Sequence, residues 1–165
     1  MKVLAIDPSG NFNEGKGVTG MALRDDKVTL TFNIKAEDYE TAMEYYDGII
    51  QVVLAFVSSD DKVVIEGYRL YNHAGMKAQT QSNSTLETPQ LIGIILYECW
   101  KNQIPIHVQY AVEVKNRWAD EVLLKTGLLT KKGNRFYLPS GAMITNHERD
   151  AYRHLLHFEL KEASK

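Results

Sequence analysis

The sequence predicts an α/β domain, a mixed sheet with helices on both faces. Three observations lead there. Short β-branched runs open the chain and return at residues 62–66 and 105–111. Between the later runs lie stretches whose apolar residues recur at helical spacing. The first three strands are compatible with hairpins, whereas the later ones are separated by helices, an order that describes a mixed sheet. At 165 residues the chain is expected to form one domain, residues 1–165, with no repeat or linker dividing it.

The elements follow in order. Lys2 to Ile6 is a buried strand closed by Asp7, and a Gly-rich loop runs from Pro8 to Gly17. Val18 to Arg24 and Lys27 to Asn33 flank a tight turn at Asp25-Asp26, and Val28, Leu30 and Phe32 alternate with threonines as a half-buried strand requires. Residues 37–58 have helical spacing, with Tyr39, Met43, Tyr46, Ile50, Val53 and Phe56 on one side and acids on the other. Lys62 to Glu66 suits a buried central strand. Residues 67–88 are rich in Asn, Gln, Ser and Thr and read largely as loop. A helix runs from about Thr88 to Asn102 with Pro89 at its start, Pro105 to Ala111 is a strand, and Arg117 to Thr126 is a helix. Residues 127–141 read as a mobile basic loop or short hairpin, and a final helix spans Asn146 to Ala163. In this order the first and fourth strands can lie side by side and parallel at the centre.

Composition narrows the function classes. The chain is 44% hydrophobic and 24% charged, which fits a soluble folded protein and not a disordered one. The apolar run from Ile49 to Val57 is too short to span a bilayer and is broken by Gln51. Met1-Lys2 leads straight into a strand, so no signal peptide is expected. A single cysteine, Cys99, excludes an internal disulfide, lacks partners at zinc-ligand spacing and reads as a core residue of a reducing compartment, the cytoplasm. The net charge of −2 is unevenly placed. Residues 36–61 carry seven acids and no Lys or Arg, whereas residues 112–135 carry Lys115, Arg117, Lys125, Lys131, Lys132 and Arg135 against three acids. One end of the molecule should repel a polyanion and another attract it.

The candidate chemistry lies at the strand ends. Asp7 and Glu66 each close a buried strand, and a carboxylate there is costly to desolvate without a compensating positive charge. His147 and Asp150 stand three residues apart on the last helix and so share a face. Such oxygen donors, once gathered, suit a hard divalent cation such as Mg²⁺, and the thiolates that would favour zinc are absent.

These residues, in this order and on these elements, resemble the ribonuclease H-like superfamily of nucleases, and within it the RuvC-type Holliday-junction resolvases. The resemblance covers nearly the whole chain. It rests on Asp7-Pro8 after the first strand, Thr19-Gly20 opening the second, Val63-Val64-Ile65-Glu66, Val114-Lys115, Ala119-Asp120 opening a helix, and His147-Glu148-Arg149-Asp150-Ala151. It implies a ribonuclease H-like fold with a five-stranded mixed sheet and a metal-dependent, structure-selective endodeoxyribonuclease that resolves four-way junctions or other branched DNA. It further implies two Mg²⁺ ions, replaceable by Mn²⁺, with Asp7 bridging them, Glu66 binding one and Asp150 the other, and with His147 ligating metal or managing a proton near the attacking water. Glu148 and Arg149 are then expected to face solvent. Lys115 matches a basic residue near the scissile backbone. Tyr68, Arg69, Tyr71, His73 and Lys77 follow Glu66 directly, and aromatics interleaved with bases suit unstacked bases and phosphates, although the tyrosines could equally anchor the loop to the fold. Lys131, Lys132 and Arg135 could grip a DNA arm in a salt-dependent way.

The apolar positions of the helix from Thr88 (Leu91, Ile92, Ile94, Ile95, Leu96, Cys99 and Trp100) cover more than one stripe, and the resemblance implies a homodimer cutting two symmetry-related strands. The chain departs from the family pattern in the inserted Asn11 to Lys16, in Ser9 where Gly is commoner, and in Gly67-Tyr68-Arg69 after Glu66. Departures of this kind suit a phage or prophage member acting in the bacterial or infected-host cytoplasm. Other readings stay open: a nuclease acting on RNA–DNA hybrid or RNA, a catalytically silent junction-binding protein, and a sugar-kinase or actin-like ATPase. The last needs a second domain and another phosphate loop that 165 residues do not supply.

Overall fold

The computed structural model describes residues 1–13, 15–68 and 86–165. Five strands form the central sheet in the order β3-β2-β1-β4-β5. Strands β1 (Lys2–Asp7), β2 (Val18–Asp25) and β3 (Val28–Lys35) are antiparallel neighbours, while β4 (Lys62–Glu66) runs parallel to β1 and β5 (Ile106–Gln109) parallel to β4. The adjacency of the first and fourth strands expected from the sequence is therefore present.

Helices α1 (Ala42–Phe56) and α2 (Glu87–Lys101) cover one face of this sheet, packing Tyr45, Ile49 and Ile95 against Leu4, Ile6 and Ile65. Helix α5 (Asn146–Ala163) covers the other, with Ala151, Leu155 and Phe158 against Val3, Ala5 and Val64. Cys99 is buried in the first core, and burial pushes its thiol up to about 11. Among the described residues no helix is long and apolar enough to cross a membrane.

Several boundaries differ from the sequence expectation, each for a local reason. Helix α1 begins at Ala42 and not near residue 37, because Thr41 and Glu44 form a reciprocal capping box. Tyr39 thus precedes the helix and Met43 is 63% exposed, so the buried stripe passes through Tyr45, Tyr46, Ile49, Ile50 and Val53. The strand expected to reach Ala111 ends at Gln109. Tyr110 O accepts from the amides of Glu113 and Val114 and starts a short helix, α3 (Ala111–Arg117). Extended backbone at Ala119 separates it from α4 (Asp120–Lys125). Of the two expectations for residues 127–141, a mobile basic loop or a short hairpin, the hairpin is present: β6 (Thr130–Lys132) pairs with β7 (Arg135–Tyr137), and β8 (Met143–Ile144) extends it to a small antiparallel sheet, while Leu129, Leu138 and Ile144 join the α5 core.

Candidate active site

Strand alternation decides which way the two carboxylates face. In β1, Leu4 and Ile6 join the core beneath α1 and α2, and Val3 and Ala5 join the core beneath α5. In β4, Val63 and Ile65 take the first side and Val64 the second. Asp7 and Glu66 continue the Val3-Ala5 and Val64 rows, and the parallel register that pairs Ala5 with Val64 and Ile6 with Ile65 ends beside them. Both acids therefore emerge under the N-terminal half of α5.

That helix comes very close. Asp7 lies opposite Gly20 on β2, and a Cβ built on Gly20 would stand 2.2 Å from the backbone carbonyl carbon of His147. Only glycine leaves room for the first turn of α5 at this point. Its start is fixed by a second capping box, in which Thr145 N donates to Glu148 Oε2 at 2.7 Å and the Thr145 hydroxyl faces the Glu148 amide. Glu148 also accepts from Asn33 Nδ2 and is buried, contrary to the expectation that it faces solvent. Arg149, expected outside as well, lies over the Phe136 ring at 4.3 Å and pairs with Asp120 at 3.2 Å, because the small sheet closes over that side of the helix.

The loop after Asp7 is tied down from three sides. Ser9 N donates to the Thr19 hydroxyl at 3.1 Å, Tyr45 donates its hydroxyl to Ser9 O at 2.8 Å, and Gly10 N donates to the Thr88 hydroxyl at 3.0 Å. Burial pushes the Tyr45 hydroxyl up to about 12, which keeps it a donor. A Cβ on Gly10 would stand 2.2 Å from Glu87 O, so the loop seats directly on the start of α2.

Each acid of the cluster is matched by a base of the same chain. Asp7 Oδ2 is 3.0 Å from His147 Nδ1, and Asp150 Oδ2 is 3.0 Å from Lys115 Nζ. The other Asp150 oxygen accepts from Arg153, which also reaches Asp120. Glu66 Oε2 is 3.0 Å from Nε2 of His154, a fully buried residue. Burial raises the pKa of Asp7, against the His147 hydrogen bond that lowers it, and the negative charges of Glu66 and Asp150 raise it further. The His147 pKa is raised chiefly by its bond to Asp7. Burial works to lower the Lys115 pKa, but the bond to Asp150 and the charges of Asp150, Glu66 and Asp7 raise it on balance. The structure thus brings Asp7, Glu66, His147, Asp150 and Lys115 into one electrostatic cluster.

The donor set fits a divalent cation in kind: hard carboxylate oxygens from two strand ends and a helix, with mutual repulsion that a cation would relieve. Among the described residues no three His, Cys, Asp or Glu groups are already gathered as an ion cage. Holding an ion therefore requires side chains of this cluster to draw closer together.

The remaining candidates are spread more widely. Tyr68 is 41% exposed just beyond Glu66, while Arg69, Tyr71, His73 and Lys77 lie outside the described residues. Lys131, Lys132 and Arg135 are exposed on the small sheet, with Lys131 and Lys132 over the rings of Phe136 and Tyr137 at 5.3 and 5.6 Å. Sequence reasoning missed His154, Gln109 and Arg153, and it named Asp120 only within the family pattern, without a role. A signal was present for His154, since His147, Asp150 and His154 at i, i+3 and i+7 form one helical stripe.

Comparison with known proteins agrees with this architecture. One structure of Thermus thermophilus RuvC matches with a TM-score of 0.63 at 16% identity, covering 99% of this chain and 97% of that one. A second, T. thermophilus RuvC in complex with a Holliday junction substrate, matches with a TM-score of 0.58 at 15% identity, covering 93% and 89%. The chain has the RuvC fold. No family model matches the sequence, and no curated protein matches it. The likeness thus resides in the order and geometry of the elements.

Proposed function

We propose that this protein is a structure-selective endodeoxyribonuclease that hydrolyses phosphodiesters in branched DNA, four-way junctions included. The observation that carries the reading is the convergence of Asp7, Glu66 and Asp150, with His147, at one end of a sheet with the RuvC fold. Asp7, Glu66, Asp150 and His147 would hold two Mg²⁺ ions, with Mn²⁺ as a substitute. When bound, such ions activate water and neutralise the charge that builds on the phosphate oxygens.

The chain's own residues do the rest. Asp7 and Glu66 stand on adjacent central strands, so their separation is set by the sheet and not by a loop. His147 Nδ1 and Asp7 Oδ2 are hydrogen-bonded at 3.0 Å, and the half-exposed His147 ring can pass a proton between the cluster and solvent. Lys115, with its side chain 47% exposed, can turn its ammonium from Asp150 to the phosphate beside the broken bond. Water adds to phosphorus and gives up a proton to the His147–Asp7 pair, the bond to the 3′ oxygen breaks, and that oxygen takes up a proton, so the net step is addition of one water across the bond. Lys131, Lys132 and Arg135 form a positive surface for a DNA arm. The small sheet that bears them connects to Asp150 through Arg149, Asp120 and Arg153.

A homodimer fits the outer face of α2. Leu91, Ile92, Ile95 and Cys99 are buried, but Tyr97 and Trp100 are 57% and 74% exposed with ring centroids 6.0 Å apart. An exposed Trp-Tyr pair is the sort of anchor that protein interfaces use. Trp100→Glu should convert the dimer to a monomer in light scattering.

The deciding experiment is cleavage of a synthetic four-way junction against linear duplex and RNA–DNA hybrid, with and without Mg²⁺. Asp7→Asn is expected to abolish junction cleavage while leaving junction binding largely intact. Preference for the hybrid would move the assignment to an RNA-directed nuclease. Binding without cleavage by the wild type would leave a junction-binding protein, and near wild-type nicking by Asp7→Asn would end the site assignment.

A further inference from the structure

We propose that His154 is a positioning residue that sets the orientation of Glu66 for metal binding, with Gln109 as its support. The proposal rests on the reading that Glu66 ligates a metal ion, and it concerns how that ligand is held.

The geometry is a clamp between two strands and a helix. Glu66 ends β4 and Gln109 ends β5, and the two are register partners. His154 lies between their side chains, with Nε2 3.0 Å from Glu66 Oε2 and Nδ1 3.1 Å from the Gln109 side-chain amide. A carboxylate oxygen only accepts, so Nε2 carries the hydrogen and donates it to Glu66. The Gln109 amide can present either its oxygen or its nitrogen to Nδ1 and so holds the other edge of the ring. His154 is fully buried and Gln109 is 6% exposed, so water offers neither a substitute partner.

This arrangement differs from the other histidines of α5. His147 also meets an acid, but its own side chain is 45% exposed, so water can reach its ring. His157, three residues beyond His154, is buried with neither ring nitrogen hydrogen-bonded, as a packing residue would be. Among the described residues, His154 is the histidine of α5 with both ring edges committed to polar side chains on the sheet.

The consequence falls on Glu66, a long side chain at the end of its strand. The bond from His154 fixes one carboxylate oxygen on the inner side and so determines where the other can point. Groups that orient a metal ligand in this way typically contribute 10–100-fold in metal affinity. His154 lies one helical turn beyond Asp150, so the helix that delivers one proposed ligand also aims another.

The test is Mn²⁺ titration of the full chain without DNA, followed by calorimetry, with thermal unfolding measured in parallel. Wild type should bind Mn²⁺ and Asp7→Asn should bind it far more weakly. His154→Leu should lose about 10–100-fold in Mn²⁺ affinity, and His154→Gln, whose amide can still donate to Glu66, should recover most of it. Gln109→Leu, which leaves the Glu66 bond but frees the ring, should lose several-fold and carries the test if His154→Leu does not fold. A role in packing alone would lower the melting temperature of these variants and leave the Mn²⁺ affinity unchanged, which overturns the proposal. If Asp7→Asn loses Mn²⁺ while His154→Leu and Gln109→Leu retain it, only the role of His154 fails. If wild type binds no Mn²⁺, or Asp7→Asn binds it equally well, the metal site and this proposal fall together.

Discussion

On the side of the sheet covered by α1 and α2, the central strands present Leu4, Ile6, Met21, Leu23, Val63 and Ile65, and the facing helices answer with apolar and tyrosine side chains. On the side covered by α5, the same strands present Val3, Ala5, Ala22 and Val64, then Asp7 and Glu66 at their ends. Gly20 stands opposite Asp7, and Arg24 and Lys62 at the other end of the strands pair with Glu159 and Glu162 of α5. One face thus joins by volume and the other by small residues in the middle and charges at both ends. A single set of strands can serve both purposes because successive side chains point to opposite faces. Small residues bring a polar helix near enough for its His and Asp side chains to meet the strand-end acids.

The largest effect that separates the two faces is on stability. Ile49 is fully buried on the apolar side, and Ile49→Ala should cost about 2–5 kcal/mol in denaturant unfolding. The surviving folded fraction should bind Mn²⁺ with unchanged affinity. A parallel loss of affinity would mean that the faces are mechanically coupled and that the division drawn between them is wrong.

Gly20→Ala should have the opposite profile. The new methyl would meet the backbone of His147, not a yielding side chain, so the start of α5 must shift. Overpacking of this kind costs about 1–3 kcal/mol of stability. A displacement near 1 Å of a catalytic constellation can lower the rate about 10²-fold. Junction cleavage should therefore fall further than the melting temperature suggests. Activity near wild type would show that the close approach at Gly20 is not what sets the site.

Much of this contrast was legible in the sequence, because it follows from alternation along single strands. Asp7 and Glu66 could be placed at buried strand ends from their own neighbours, and His147 and Asp150 on one helical face from their spacing. What was not legible depends on how separate elements dock. Glu148 and Arg149 read as solvent-facing because, although 127–141 could be read as a hairpin, nothing in its sequence announces that it packs on α5. Yet Thr145-x-x-Glu148 carries the capping-box spacing, which would have turned the Glu148 carboxylate back toward the backbone. The strand read as reaching Ala111 stops at Gln109, because the Tyr110 carbonyl accepts from the Glu113 and Val114 amides and starts a helix. His154 remained hidden because its partners, Glu66 and Gln109, lie on two strands far away in sequence.

A smaller effect tests how the charged face meets DNA. Lys115 is held at the cluster by Asp150, so Lys115→Ala should weaken junction binding several-fold and reduce the steepness of its salt dependence by about one ion. The stability of the apolar face should not change. Loss of affinity with the salt slope unaltered would assign Lys115 a structural role in neutralising Asp150 and remove it from the phosphate contacts.

The smallest expected effect compares two aspartates at opposite ends of the central strands. Asp7, at the site, has its pKa raised by burial and by neighbouring acids. Asp61, also buried, accepts from Lys2 N at 2.6 Å and from the Ser58 amide and hydroxyl at 3.0 Å. Burial alone would raise its pKa, but these bonds outweigh that and lower it from 3.8. Such a depressed carboxylate stabilises the fold at every pH above its unfolded value, and the contribution disappears as pH falls through the folded value. Asp61→Asn should therefore cost about 1–2 kcal/mol in urea unfolding at neutral pH. The gap to wild type should narrow as the pH drops from 3.8 through the lower folded value, where the native carboxyl takes up its proton. A gap of constant size across that range would show that the Asn variant suffers from shape and not from charge. In that case Asp61 and Asp7 would differ in packing alone, and the electrostatic contrast between the two strand ends would need another origin.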